Sequence, residues 1–149
     1  MRLVDELGTD LDGLSQLRAL IASGRKPGIL VALDFDFIEV EAGRAVFAGT
    51  PGDHAYNPIG SVHGGYAATL LDSACGCAAH SRLTASQAFT TLELKVAYHK
   101  RITKDTGLLR AEGNLLSFGK RVAFAEARLT DMQGKLYASA TSTLLVFDR

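Results

Sequence analysis

Apolar residues recur at helical spacing near the start of the chain. In "DLDGLSQLRALIASG", Leu11, Leu14, Leu17, Leu20 and Ile21 fall three or four apart, which predicts an N-terminal helical segment at about 10–24. Asp10 or Asp12 can cap its start and Gly24 its end. "GRKPG" then breaks the pattern. "LDFDFIEV" alternates apolar and acidic positions, as a half-buried strand does, and "RAVFAGT" follows after Ala42 and Gly43, which predicts a hairpin. "PGDHAYNPIGSVHGG" is loop chemistry, rich in Pro and Gly. A helix is expected over about 65–81; it lacks a polar stripe, so it should be surrounded by protein. Four strand-like segments come after it: "TTLELKVAYH", "TGLLRAEGNLL", "KRVAFAEARLT" and "KLYASATSTLLVF". In the first, Leu92, Leu94, Val96 and Tyr98 fall on one face. Helix, two strands, one apolar helix and four strands predict an α+β fold, a curved antiparallel sheet wrapped around that helix. No repeat or linker divides residues 1–149, so a single domain is expected.

Composition narrows the class. Hydrophobic residues make up 47% of the 149, enough for a globular core. Sixteen basic and sixteen acidic residues cancel, which lacks the basic excess of a nucleic-acid binder. Cys75 and Cys77 point to different sides of a helix, a poor arrangement for a disulfide or a shared metal, and read as small core residues in a reducing compartment. "MRLVDELGTD" has no apolar signal core, and Asp72 interrupts the longest apolar stretch before it can span a membrane. The default is a cytoplasmic protein with no membrane partner.

Asp72 is the anomaly. An unpaired buried carboxylate costs several kcal/mol or turns neutral. No Lys or Arg lies within one turn of it; Arg82 is the nearest in sequence, and Lys95 is a distant alternative. Ionisable groups inside apolar helices are enriched at active sites. At the helix start, "HGG" presents unpaired N–H groups at a positive helix end, and Gly64 and Gly65 admit a ligand close to the backbone. That arrangement suits an oxyanion. From Gly64 to Asp72 is eight residues, about 12 Å of helix rise. One helix cannot bring both groups to one carbonyl. If both serve one reaction, a second copy must supply one of them, which predicts a homodimer with two shared sites.

The residues Asn57-x-x-Gly60-x-x-His63-Gly64-Gly65, with Asp72 nine positions after His63, resemble the hotdog-fold acyl-CoA thioesterases of the phenylacetate-degradation (PaaI) type. The resemblance runs over about 35–147 and includes the "GKR" turn and the last strand. It implies a hydrolase that converts an acyl-CoA thioester to a free carboxylic acid and coenzyme A, working as a homodimer or as a homotetramer built as a dimer of dimers. The acid matching Asp72 activates water or attacks the carbonyl directly. The N–H matching Gly64 polarises that carbonyl from the opposite subunit. Asn57 helps position the thioester, His63 supports the loop, and Thr91, with Thr90 adjacent, orients the water. Gly65 and Tyr66 fall on the substrate side; Lys120, Arg121, Lys100 and Arg101 are candidates for the coenzyme A phosphates. Some relatives carry a Ser or Thr one turn after the acid, where this chain has Gly76. No cofactor is implied; coenzyme A enters as part of the substrate.

Three other readings compete. His54, His63, His80, His99 and Asp72 are possible metal ligands, but none has close zinc spacing, so no metal is expected. A hydratase or dehydratase on the same fold also polarises an acyl thioester, with acid and histidine in a different order. A non-catalytic acyl-CoA-binding module would need neither Asp72 nor the donor.

Overall fold

A computed structural model describes residues 3–149. Met1 and Arg2, part of the acidic start read above, lie outside the described residues. Helix α1 (Gly13–Ser23) begins at Asp12, whose carboxylate accepts from the Ser15 N–H at 2.8 Å, and ends at Gly24 in the left-handed region. Its buried face carries Leu17 and Leu20. A second helix, α2 (Gly28–Leu33), starts directly after Pro27. It buries Leu30 and leaves Ile29 and Val31 exposed.

Six strands form one antiparallel sheet: β1 (Phe35–Glu41), β2 (Arg44–Gly49), β3 (Gln87–Tyr98), β4 (Leu109–Phe118), β5 (Val122–Thr130) and β6 (Leu136–Asp148). Their order is β1-β2-β4-β5-β6-β3, with β1 and β2 paired as the expected hairpin. β3 is therefore an edge strand, paired among the described residues with β6 alone.

Between β2 and β3 the chain forms the long helix α3 (Gly64–His80), which packs against all six strands. The sheet can close round it because the inward positions are small. Ala123, Ala125 and Ala127 on β5 and Ala138, Ala140 and Ser142 on β6 are buried beneath it. At Gly113 on β4, a Cβ would lie 2.3 Å from the Ala74 carbonyl oxygen, so only glycine lets helix and sheet approach this closely. Larger side chains fill the rest of the core: Phe35, Leu70, Leu71, Leu109 and Leu144 are fully buried, each contributing about 1.5–3 kcal/mol of transfer free energy. This is the curved α+β arrangement of the hotdog fold.

Two expectations need correction. α3 is not enclosed all round. Gly65, Thr69, Asp72 and Ser73 form a stripe of partial or full exposure at helical spacing, because the sheet wraps only the other side. On β3, a register shift between Thr91 and Glu93 leaves Leu92 bulged and 58% exposed, while Leu94 and Val96 pack against the core. Tyr98 is also exposed. Among the described residues, no helix is long and apolar enough to cross a membrane.

Candidate active site

The tip of α3 is built by its preceding loop. Asn57 organises that loop: its side-chain oxygen accepts from the Ile59 and Ser61 N–H groups, and its amide donates to Ser61 Oγ at 3.1 Å. The His63 N–H donates to the Ala55 carbonyl at 2.7 Å. His63 is the N-cap of α3, its Nδ1 accepting from the Gly65 N–H at 2.8 Å. That bond assigns the ring proton of neutral His63 to Nε2. It also occupies the Gly65 N–H. The Gly64 N–H has no acceptor among the described residues. Sequence reasoning missed a further contact: Tyr98, at the end of β3, donates its hydroxyl to the Gly64 carbonyl at 2.7 Å. A Cβ at Gly64 would lie 3.0 Å from that hydroxyl. An open cavity of about 350 Å³ lies at the tip, lined by His63, Gly64, Tyr98, His99, Lys100 and Arg101 among others. The Arg101 guanidinium donates to the Gly60 carbonyl at 2.7 Å, so its charge is held over the loop.

Asp72 lies on the uncovered stripe, two turns along the same helix. Thr91 Oγ1 donates to Asp72 Oδ1 at 3.1 Å. The bulge explains why Thr91 does so and Thr90 does not. Strict alternation from Leu94 and Val96 would turn Thr90 inward; the extra residue at Leu92 reverses the phase. Thr91 then sits opposite inward-facing Leu144, and Thr90 is exposed opposite Leu145. No ion pair to Asp72, from Lys95 or any other cation, occurs among the described residues. Asp72 meets the cost of its surroundings through partial exposure and the threonine hydrogen bond.

Asp72 and Thr91 line a second cavity, of about 240 Å³, with Ser73, Gly76 and Cys77 from α3. Gly64 is not among its lining residues. Burial, with a smaller contribution from the Asp72 charge, pushes the Cys77 thiol up to about 12; Cys75 is raised to about 12 in the same way. Neither is a thiolate near neutral pH, so neither is a nucleophile here.

The remaining candidates are scattered. Tyr66 is in the core, 2% exposed, edge-on to the Phe35 ring and not at either cavity. Its hydroxyl has no partner among the described residues, and burial raises its pKa to about 12. Lys120 and Arg121 are exposed in the turn between β4 and β5. Val122 pairs with Leu145, which pairs with Thr90, so this turn sits at the sheet level of Thr91. The histidines do not converge: His54 bonds the Leu33 carbonyl, His80 bonds Gln16 and His99 bonds Ser139. Among the described residues, no group of three His, Cys, Asp or Glu side chains is placed to hold a metal ion.

The thioesterase superfamily pattern matches residues 59–138, more than half of the chain. The chain belongs to the thioesterase superfamily. It is a thioester hydrolase. A curated relative, the 1,4-dihydroxy-2-naphthoyl-CoA hydrolase of Listeria monocytogenes serotype 1/2a (strain 10403S), is 24% identical over 119 residues, covering 80% of this chain and 95% of that one. The crystal structure of AziG from S. sahachiroi superposes with a TM-score of 0.80 at 19% identity, covering 84% of this chain and 100% of the other. A thioesterase described as phenylacetic acid degradation-related and putative, from Ralstonia eutropha JMP134, gives a TM-score of 0.77 at 25% identity, over 87% and 98%. The matched segment of this thioesterase includes Gly64, Asp72, Thr91 and Tyr98; α1, α2 and the β1–β2 hairpin fall outside it.

Proposed function

We propose that this thioesterase hydrolyses an acyl-CoA thioester to a carboxylic acid and coenzyme A. The observation that carries the mechanism is the division of α3 into two half-sites. An unpartnered N–H stands at Gly64, and an acid on the uncovered stripe stands eight residues, about 12 Å, further along. Two such helices, antiparallel about a two-fold axis, set each Asp72 beside the other's tip. The long open edge of β3 supports the same pairing, since a free edge of this length is normally covered or paired. The active unit is thus a homodimer, with a dimer of dimers as its larger form.

In the reaction, the thioester carbonyl oxygen accepts from the Gly64 N–H of one subunit, at the positive helix end. Asp72 of the facing subunit removes a proton from water, whose oxygen bonds to the carbonyl carbon. Thr91 donates to Asp72 and keeps its own lone pairs for that water. The tetrahedral oxyanion collapses, the C–S bond breaks, and the leaving thiolate takes the proton from Asp72. His63 holds the tip through the Gly65 N–H, and Asn57 holds the loop that delivers it. Antiparallel pairing also brings Lys100 and Arg101 of one subunit toward Lys120 and Arg121 of the other, cations for the coenzyme A phosphates. No cofactor takes part. The motif order is read as that of the phenylacetate-degradation (PaaI) type, and a cytoplasmic setting suits the two free thiols.

The test is a screen of acyl-CoA thioesters for thiol release, run beside Asp72→Ala. Asp72-dependent release with at least one thioester is expected. Binding without turnover across the whole panel would make the chain a binding module, and hydration of an enoyl-CoA without thiol release would make it a hydratase.

A further inference from the structure

The cavity beside Asp72 is lined by a small polar group and a larger apolar set. Its polar side chains, Asp72, Ser73 and Thr91, are neighbours in sequence or through a hydrogen bond. Everything else that lines it is apolar, glycine, or the protonated thiol of Cys77. The sheet contributes Phe37 and Phe47, stacked at 4.5 Å, and Phe89. The outer wall comes from the N-terminal helices: Leu20 of α1, then Pro27, Ile29 and Leu30 at and within α2. Those helices lie outside residues 59–138, the segment that the superfamily pattern matches.

The geometry points to this cavity as the acyl subsite, built for an unhydroxylated apolar acyl group whose length is limited by α2. The inference rests on the thioesterase reading of Asp72, which puts the thioester carbonyl at the polar group and the acyl tail toward the phenylalanines. The space of about 240 Å³ exceeds the roughly 150 Å³ that holds a benzene ring. It therefore suits one aromatic ring with a short linker, or a saturated chain of similar bulk. A ring hydroxyl directed into it would meet Phe37, Phe47 and Phe89 and lose its hydrogen bonds. The preference thus differs from the dihydroxylated acyl group named for the Listeria relative. Gly76 contributes to the space: a Cβ there would lie 3.3 Å from the Phe89 ring. Ile29, 51% exposed, can be enlarged without disturbing the core.

Thioether analogues of coenzyme A separate the subsite from the chemistry, since they bind without reacting. Dissociation constants are measured by calorimetry for phenylethyl, hexyl and dihydroxynaphthyl thioethers. In parallel, kcat/KM is measured for the thioesters of matching size. The phenylethyl and hexyl analogues should bind on the order of 10- to 100-fold more tightly than the hydroxylated one. Ile29→Trp and, independently, Gly76→Ala should weaken the larger apolar analogues more than a methyl thioether. Equal or tighter binding of the hydroxylated analogue overturns the proposal, as does an equal loss for every analogue in both variants. Selective binding with no hydrolysis of any thioester keeps the subsite and removes the hydrolase reading. Hydrolysis with the opposite preference keeps the hydrolase and removes the subsite.

Discussion

The tip of α3 and its third turn are opposite in almost every respect. The tip is a donor site made of backbone, with the Gly64 N–H unpartnered, His63 and Tyr98 bracing the first turn, and Lys100 and Arg101 at its rim. The third turn is an acceptor site made of side chains, with Asp72 and Thr91 lining a cavity that three phenylalanines share. One has charge for a polar ligand and no acid; the other has the acid and a place for an apolar group. On the proposed mechanism each supplies what the other lacks, and the rigidity of one helix keeps them apart within a single chain.

Removing the acceptor side gives the largest expected effect. Asp72→Ala should lower kcat by about 10²- to 10⁴-fold, with KM changing less, in steady-state thiol-release assays. Near-normal turnover would make the acid incidental. Removing the donor comes next. Gly64→Pro deletes the N–H at a position where proline suits a helix start, after a His63 already extended at φ −61° and ψ 136°. A loss of about 10²- to 10³-fold in kcat is expected. Gly64→Ala meets Tyr98 through a Cβ in the same way but keeps the N–H, so it separates crowding from the donor. An equal loss in both variants would point to crowding.

Smaller changes sharpen the contrast within each half. Thr91→Val should lower kcat by about 3- to 10-fold, the worth of one hydrogen bond, whereas Thr90→Val should stay within about 2-fold. The reverse pattern would contradict the bulge as the device that aims Thr91. Tyr98→Phe removes the bond to the Gly64 carbonyl and should cost about 0.5–1.5 kcal/mol, read as a fall in thermal midpoint with a modest drop in kcat. No change in either would leave Tyr98 without a role at the tip.

Much of this was legible in the sequence because it follows from period and spacing. The expected 65–81 helix is Gly64–His80, and all six strands were visible as alternating or apolar runs. The separation of Gly64 from Asp72 by about 12 Å along one helix followed from helix rise alone. α2 was missed because the six residues "GILVAL" are too short to show a helical period. The uncovered stripe was missed because Gly65, Ala68 and Ser73 are small; hydropathy does not distinguish a residue under a sheet from one that a second chain could cover. The bulge did leave a trace: Phe89 is out of phase with Leu94 and Val96, and a phase break of that kind marks an extra residue. Tyr98 was legible as a side chain but not as a contact, since its partner is a backbone carbonyl from the helix start.

The shared site is tested most directly by mixing two inactive variants, Asp72→Ala and Gly64→Pro, after dissociation and reassociation. Random pairing makes half of the dimers mixed, and each mixed dimer has one intact acid facing one intact tip, so about a quarter of wild-type activity should return. Activity no higher than the sum of the separate variants, with mixed dimers shown to form, would contradict a site built from two chains.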